Sequence, residues 1–154
     1  MLRNAGFLSV VLAAAFFSGN VLAGQLPETA KPMSSEAVIA MYSGKTLVGS
    51  QSDIYFAPDH TDKGILGKPK MTTLLLGTWS VADNEICTYN FRKNDHQSYR
   101  DCYKHWQDGG RIVTLWSAHA DGSPVDANNG YSNDGQKLVA GDQVSERYAA
   151  AGGM

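Results

Sequence analysis

From Met71 to His119 the chain alternates between runs of β-branched and aromatic residues and short polar breaks. MTTLLLGTWSV leads to a break at Ala82-Asp83-Asn84, EICTYNFRKNDHQSYRDCYKHW follows, and after Asp108-Gly109-Gly110 comes RIVTLWSAH. Such runs, bounded by Gly, Asn or Asp, predict antiparallel strands joined by hairpins. The three tryptophans, Trp79, Trp106 and Trp116, all fall inside them. In the first run, alternation puts Leu75, Trp79 and Val81 on one face and Leu74, Leu76, Thr78 and Ser80 on the other. The first face is the more apolar and is expected to look inward, with Gly77 leaving room there for a neighbouring ring.

The flanking segments add fewer elements. Residues 24–33 (GQLPETAKPM) hold two prolines and no periodicity, and read as a flexible lead-in. Ser34 or Ser35 caps a short helix, SSEAVIAMY, with Glu36 in its first turn, an apolar side of Val38, Ile39, Met41 and Tyr42, and Gly44 to end it. Thr46 to Phe56 reads as one or two strands broken near Gly49-Ser50. A turn at Ala57 to His60 and a loop or short strand, TDKGILGKPK, come next. Asp121 to Gly135 is loop-rich, Lys137 to Val144 returns as a last strand, and residues 146–154 form a disordered tail of small residues. The expected fold is mainly β, an antiparallel meander curled into a small barrel or sandwich with one short N-terminal helix. The single β domain would span 34–145.

The start of the chain changes the picture. MLRN is basic, AGFLSVVLAAAFFSGN is apolar, and Val-Leu-Ala at 21–23 supplies a small-residue cleavage pattern before Gly24. That layout predicts a secretory signal peptide over 1–23, with an apolar stretch too short for a typical membrane span. No cysteine follows the cleavage point, so no lipid anchor is expected. The localisation expected is periplasmic or secreted, with no transmembrane segment after cleavage. A formal net charge of −2, more acidic still once Arg3 is removed, argues against nucleic acid and against a polybasic membrane contact.

Export bears on the two cysteines, Cys87 and Cys102. If they face each other across a hairpin, its centre falls between Asn94 and Asp95, which is turn chemistry. A four-residue loop of Lys93 to His96 makes them a closely spaced, non-hydrogen-bonded pair and suits a disulfide better than a two-residue loop. Two buried free thiols are the alternative for a cytosolic chain.

Other candidate chemistry is sparse. His60, His96, His105 and His119 stand singly, with no metal-ligand spacing. Asp59-His60-Thr61-Asp62 reads as a solvated turn. The stretch from Asp126 departs from a calcium loop at Tyr131 and Lys137, where glycine and glutamate belong. There is no Gly-x-Ser-x-Gly elbow. No metal, cofactor or catalytic residue is assigned. Glu85 and Asp101, on strands that pair, are the carboxylates that a small envelope hydrolase could use. The aromatic residues read first as core and cross-strand pairs. Read functionally, Tyr89, Tyr99, Tyr103, Trp106 and Trp116 are the candidates to line a groove for an apolar or sugar-like ligand.

Two resemblances follow. Gly77-Thr78-Trp79 resembles the Gly-x-Trp of lipocalins and the Gly-Thr-Trp of avidin-type barrels, where it lies on the first strand; here several strands precede it. SSEAVIAMYSGKT, GTWSVADNEIC, the second cysteine in DCYKHW, a glycine pair and a late GDQV resemble a family of small secreted alphaproteobacterial proteins catalogued only as a domain of unknown function. This second resemblance covers about residues 34–145. It implies a Gram-negative envelope protein and brings no catalytic residues with it. The function expected is an exported, non-enzymatic binding or interaction module of the bacterial cell envelope. Its partner would be a small ligand, a glycan or an envelope protein.

Overall fold

The computed structural model describes residues 25–68, 70, 73–94, 96–119, 121, 123–125, 130–132 and 137–153. The expected signal peptide, 1–23, lies outside them. A two-residue strand β1 (Lys31–Pro32) and helix α1 (Ser35–Tyr42) precede a meander. The meander runs β2 (Lys45–Val48), β3 (Ser52–Phe56), β4 (Thr61–Leu66), β5 (Thr73–Ala82), β6 (Glu85–Arg92), β7 (Ser98–Asp108) and β8 (Arg111–Ala118). Each strand pairs antiparallel with the next, and β9 (Leu138–Ala140) returns to pair with β2. The sheet curls into a half-barrel. Among the described residues no pairing joins β8 to β9, so a seam is left between them. β7 outruns β6, and β1 takes up the spare edge through Lys31↔Gln107 and Pro32↔Trp106. An edge is where a strand tolerates a proline.

Helix α1 plugs one end. The Ser34 hydroxyl accepts from the Ala37 N–H at 3.2 Å, and the chain leaves the helix through Gly44 at φ +71°. Val38 and Tyr42 then pack with Phe56, Trp79 and Ile86 to form the main core. Trp79 is 2 % exposed, donates from Nε1 to the Ala57 carbonyl at 3.0 Å, and stacks on His60 at 4.3 Å. The inward face read for Leu75, Trp79 and Val81 is the one found. What fills the space over Gly77 is not a ring, however, but the backbone of β6. A Cβ built there would lie 2.2 Å from the Tyr89 carbonyl oxygen and 2.7 Å from Asn90 Oδ1. The strand curls tightly at that point because glycine lets its neighbour approach.

The hairpin register at the cysteines is also as read. Cys87 pairs with Cys102, their Cα atoms are 4.1 Å apart, and the two are disulfide-bonded. The Arg92 N–H reaches the Gln97 carbonyl at 2.8 Å, which leaves the four-residue loop between them.

Of two further segments, one takes the strand alternative and the other differs from expectation. TDKGILGKPK holds a full internal strand, β4, whose Ile65 is buried on the outer face while Gly64 lets Ile54 and Leu75 meet on the inner one. Residues assigned to a disordered tail instead form helix α2 (Ser145–Ala150) on the outer face of the sheet. There Tyr148, 4 % exposed, packs with Val144, Ile65 and Leu74. Arg147 and Lys68 both pair with the buried Asp53 carboxylate, at 2.8 and 2.5 Å. Thr46 accepts from the Gln143 N–H and donates to the Gly141 carbonyl, which fixes the turn into α2. One aromatic ring and one ion pair thus order a stretch otherwise made of alanine and glycine.

Candidate functional site

The concave side of the half-barrel encloses a cavity of about 360 Å³. Its two walls differ in chemistry because alternation delivers different residues inward on the two halves of the meander. Strands β2 to β5 contribute Leu47, Ile54, Phe56, Leu66 and Leu75, an apolar wall. Strands β6 to β8 contribute Thr88, Asn90, Arg92, Tyr99, Asp101, Tyr103 and Thr114, a polar one. Tyr42 of α1 and Ile86 complete the lining, and the turn Gly49 to Ser52 and Lys137 also border it.

The polar wall carries hydrogen-bonding groups that the fold leaves unsatisfied. Asn90 is 6 % exposed and Thr114 1 %, and Asn90 Oδ1 and Thr114 Oγ1 have no hydrogen-bond partner. A buried polar atom without a partner costs about 1–3 kcal/mol, so such atoms are few in native folds and call for an explanation. Burial pushes the Asp101 carboxyl up, while a hydrogen bond from Trp116 and the nearby His119 charge pull it back. The Arg92 guanidinium lies over the Tyr99 ring, 4.6 Å from its centroid. Deeper, the Tyr42 hydroxyl meets His105 Nε2 at 2.9 Å.

Asp62 belongs to the same inner face, between Phe56 and Gly77 in register. It is 1 % exposed, both its oxygens lack partners, and burial pushes its carboxyl up to about 7. Asp62 was read as part of a solvated turn; the solvated part ends at Thr61, and β4 carries Asp62 inside.

The aromatic candidates divide between the two faces. Tyr99 and Tyr103 line the cavity, and Trp116, the cross-strand partner of Tyr103, shares their face. Tyr89 points outward, with the Arg100 guanidinium 5.5 Å from its ring centroid. Trp106 sits edge-on to Tyr131, away from the cavity. Glu85 and Asp101 are not brought together. Asp101 pairs with Thr88, three residues from Glu85, so the two carboxylates lie on opposite faces. Glu85 instead accepts from the Ser117 hydroxyl at 2.5 Å. Among the described residues its potential metal-ligand grouping is with Cys87 and Cys102, and those two are spent on the disulfide.

Thr88, Asn90, Arg92 and Thr114 escaped the sequence reading, although β6 carries a signal for most of them. Once Cys87 is directed outward, period-two alternation sends Tyr89 and Phe91 out with it and Thr88, Asn90 and Arg92 inward. A strand that turns its aromatic residues to solvent and its polar ones to the inside is inverted relative to a core strand.

The family described as Protein of unknown function (DUF995) matches residues 8–144. The chain belongs to that family. Every residue lining the cavity lies within the matched span, whereas α2 begins just beyond it. No curated protein and no solved structure matches the chain.

Proposed function

We propose that this member of the DUF995 family is an exported binding module of the bacterial envelope that holds a small molecule in the half-barrel. The observation that carries the reading is the inverted wall. Asn90 and Thr114 line a cavity whose opposite wall is apolar, and each carries a buried side-chain oxygen with no hydrogen-bond partner. A fold gains nothing from burying such groups unless something completes their hydrogen bonds. A cavity of this size with an apolar body and a few convergent polar groups is the usual form of a small-molecule site. Export is supported by the basic-then-apolar N-terminal pattern together with a disulfide, which persists in oxidising compartments. Among the described residues no helix is long and apolar enough to cross a membrane.

The test is native mass spectrometry of protein recovered from the exported fraction of its host. A chain beginning at Gly24 with a small molecule bound is expected. Ile54→Trp, which fills the apolar wall, should abolish the adduct while leaving the circular dichroism unchanged. Soluble exported protein that keeps residues 1–23 would refute the cleaved signal peptide. An adduct indifferent to Ile54→Trp would refute the cavity as its site.

A further inference from the structure

Resting on that reading and deepening it, we propose that the ligand is a compact ring compound with one apolar face and hydroxyl groups along the other. The cavity divides its chemistry between two facing walls, not between a mouth and a floor. On the apolar side, register sets Leu47, Ile54, Gly64 and Leu75 in one row across four strands. A Cβ at Gly64 would lie 3.1 Å from Ile54 Cγ1 and 3.3 Å from Leu75 Cδ1, so those two side chains close over the glycine. The result is a continuous aliphatic surface, roughly 14 Å across at three strand spacings. Asp62, on the same face of β4, is 1 % exposed and is not among the residues that line the cavity.

The polar wall runs the depth of the cavity. Arg92 continues the row of Leu75 at one end. Thr88 and Asp101, a cross-strand pair, lie further along toward α1. Thr114 pairs with His105, which the Tyr42 hydroxyl of α1 meets, so it stands at the helix end. All four line the cavity. Thr88 donates to the Asp101 carbonyl at 3.5 Å and keeps its acceptor capacity, and Thr114 Oγ1 is buried without a partner. A single hydrocarbon chain threaded into this space would desolvate polar groups at every level and return no hydrogen bond to them. A ring system with hydroxyls on one face meets both walls at once. Its hydrocarbon face covers Leu47, Ile54 and Leu75, and its hydroxyls, each a donor and an acceptor, face Thr88, Asp101 and Thr114.

Three probes with the same number of carbons and of hydroxyls test this by amide NMR titration of the oxidised, full-length exported chain. Two are epimers of trans-decalin-1,4-diol, one with both hydroxyls on a single face and one with them on opposite faces. The third is decane-1,2-diol, whose polarity is divided end to end. The single-face epimer should bind more tightly than the other by up to about tenfold, the scale of one hydrogen bond, and should shift the amides of Thr88 and Thr114 together with those of Ile54 and Leu75. Decane-1,2-diol should bind more weakly than the single-face epimer. Thr88→Val and Thr114→Val should narrow the difference between the epimers, and a difference that survives both variants overturns the polar wall as its source. Equal binding of the two epimers, or tighter binding of decane-1,2-diol, overturns the division by faces while the cavity still stands as a site. No shift at the cavity from any of the three overturns the small-molecule cavity itself. The comparison of epimers on the unmodified protein decides the matter even if a variant does not fold.

Discussion

Replacing Asp62 with asparagine removes a charge and almost nothing else, because the two side chains have nearly the same shape. In the native protein this carboxyl is 1 % exposed, lies between Phe56 and Gly77, and has no partner on either oxygen. Burial raises it from 3.8 to about 7. The sign follows from linkage. Below 3.8 the group is neutral in both the folded and the unfolded chain, and it costs folding nothing. Between 3.8 and about 7 the unfolded chain ionises while the folded one holds its proton, so stability falls by about 1.4 kcal/mol per pH unit. Above 7 the loss levels off at up to about 4 kcal/mol. Against a typical domain stability of about 5–15 kcal/mol that is a large share.

Asp62→Asn should therefore match the wild type at pH 4 and exceed it increasingly from pH 5 to 7, with a constant advantage by pH 8. Urea unfolding followed by tryptophan fluorescence at those pH values measures the difference, and titrations elsewhere in the chain cancel between the two proteins. A difference that does not change with pH refutes the reasoning. So does an asparagine variant that loses ground as pH rises, since that would mean Asp62 is held as an anion by a cation.

Gly77→Ala should destabilise severely, because the new Cβ would meet the Tyr89 carbonyl oxygen, which is backbone of β6 and cannot swing aside; an unshifted thermal melt would count against the close approach of these strands. Trp79→Ala should cost about 3–5 kcal/mol through lost burial and the cavity left behind, with Trp79→Phe milder. In a variant with Trp106 and Trp116 replaced by Phe, acrylamide quenching of Trp79 as strong as that of free indole would refute its burial. Cys87→Ser with Cys102→Ser should fold and lose roughly 3 kcal/mol, the chain-entropy value for a loop of about 15 residues. Two thiols alkylated in unreduced wild type would overturn the bridge.

How far the chain could be read depended on whether the deciding physics was local. The β6–β7 hairpin was legible because two cysteines and an Asn-Asp turn independently demand one register. Helix α1 was legible from its serine cap and apolar side. β4 was legible only as a loop or short strand, since its inner positions are Asp62, Gly64 and Leu66, and a strand with a charge and a glycine facing inward lacks the apolar alternation that marks one. α2 was missed because its order comes from Tyr148 and Arg147 meeting Ile65, Leu74 and Asp53, partners distant in sequence. Among the candidate site residues, Tyr99 and Tyr103 were named for their rings alone. What makes a cavity wall is the polar set between and beside them, visible only once the inward side of β6 is known.

That inverted strand also gives the disulfide a reason for its place. Most inward positions of β6 and β7 are polar, so this pair of strands buries less apolar surface on the concave side than β2 to β5 do, and hydrophobic stabilisation scales with that area. The Cys87–Cys102 bond lies on the outward face of the same two strands, one register step from Thr88 and Asp101 of the cavity wall. A cross-link there restores by covalent means what the polar lining withholds. Had the bridge served the core in general, the apolar half of the barrel, already tied down by α1 on one side and α2 on the other, would have been no worse a site for it. Its position behind the polar wall instead puts the covalent tie on the half of the barrel whose lining is least apolar. The staple is found where hydrophobic burial on the concave side contributes least.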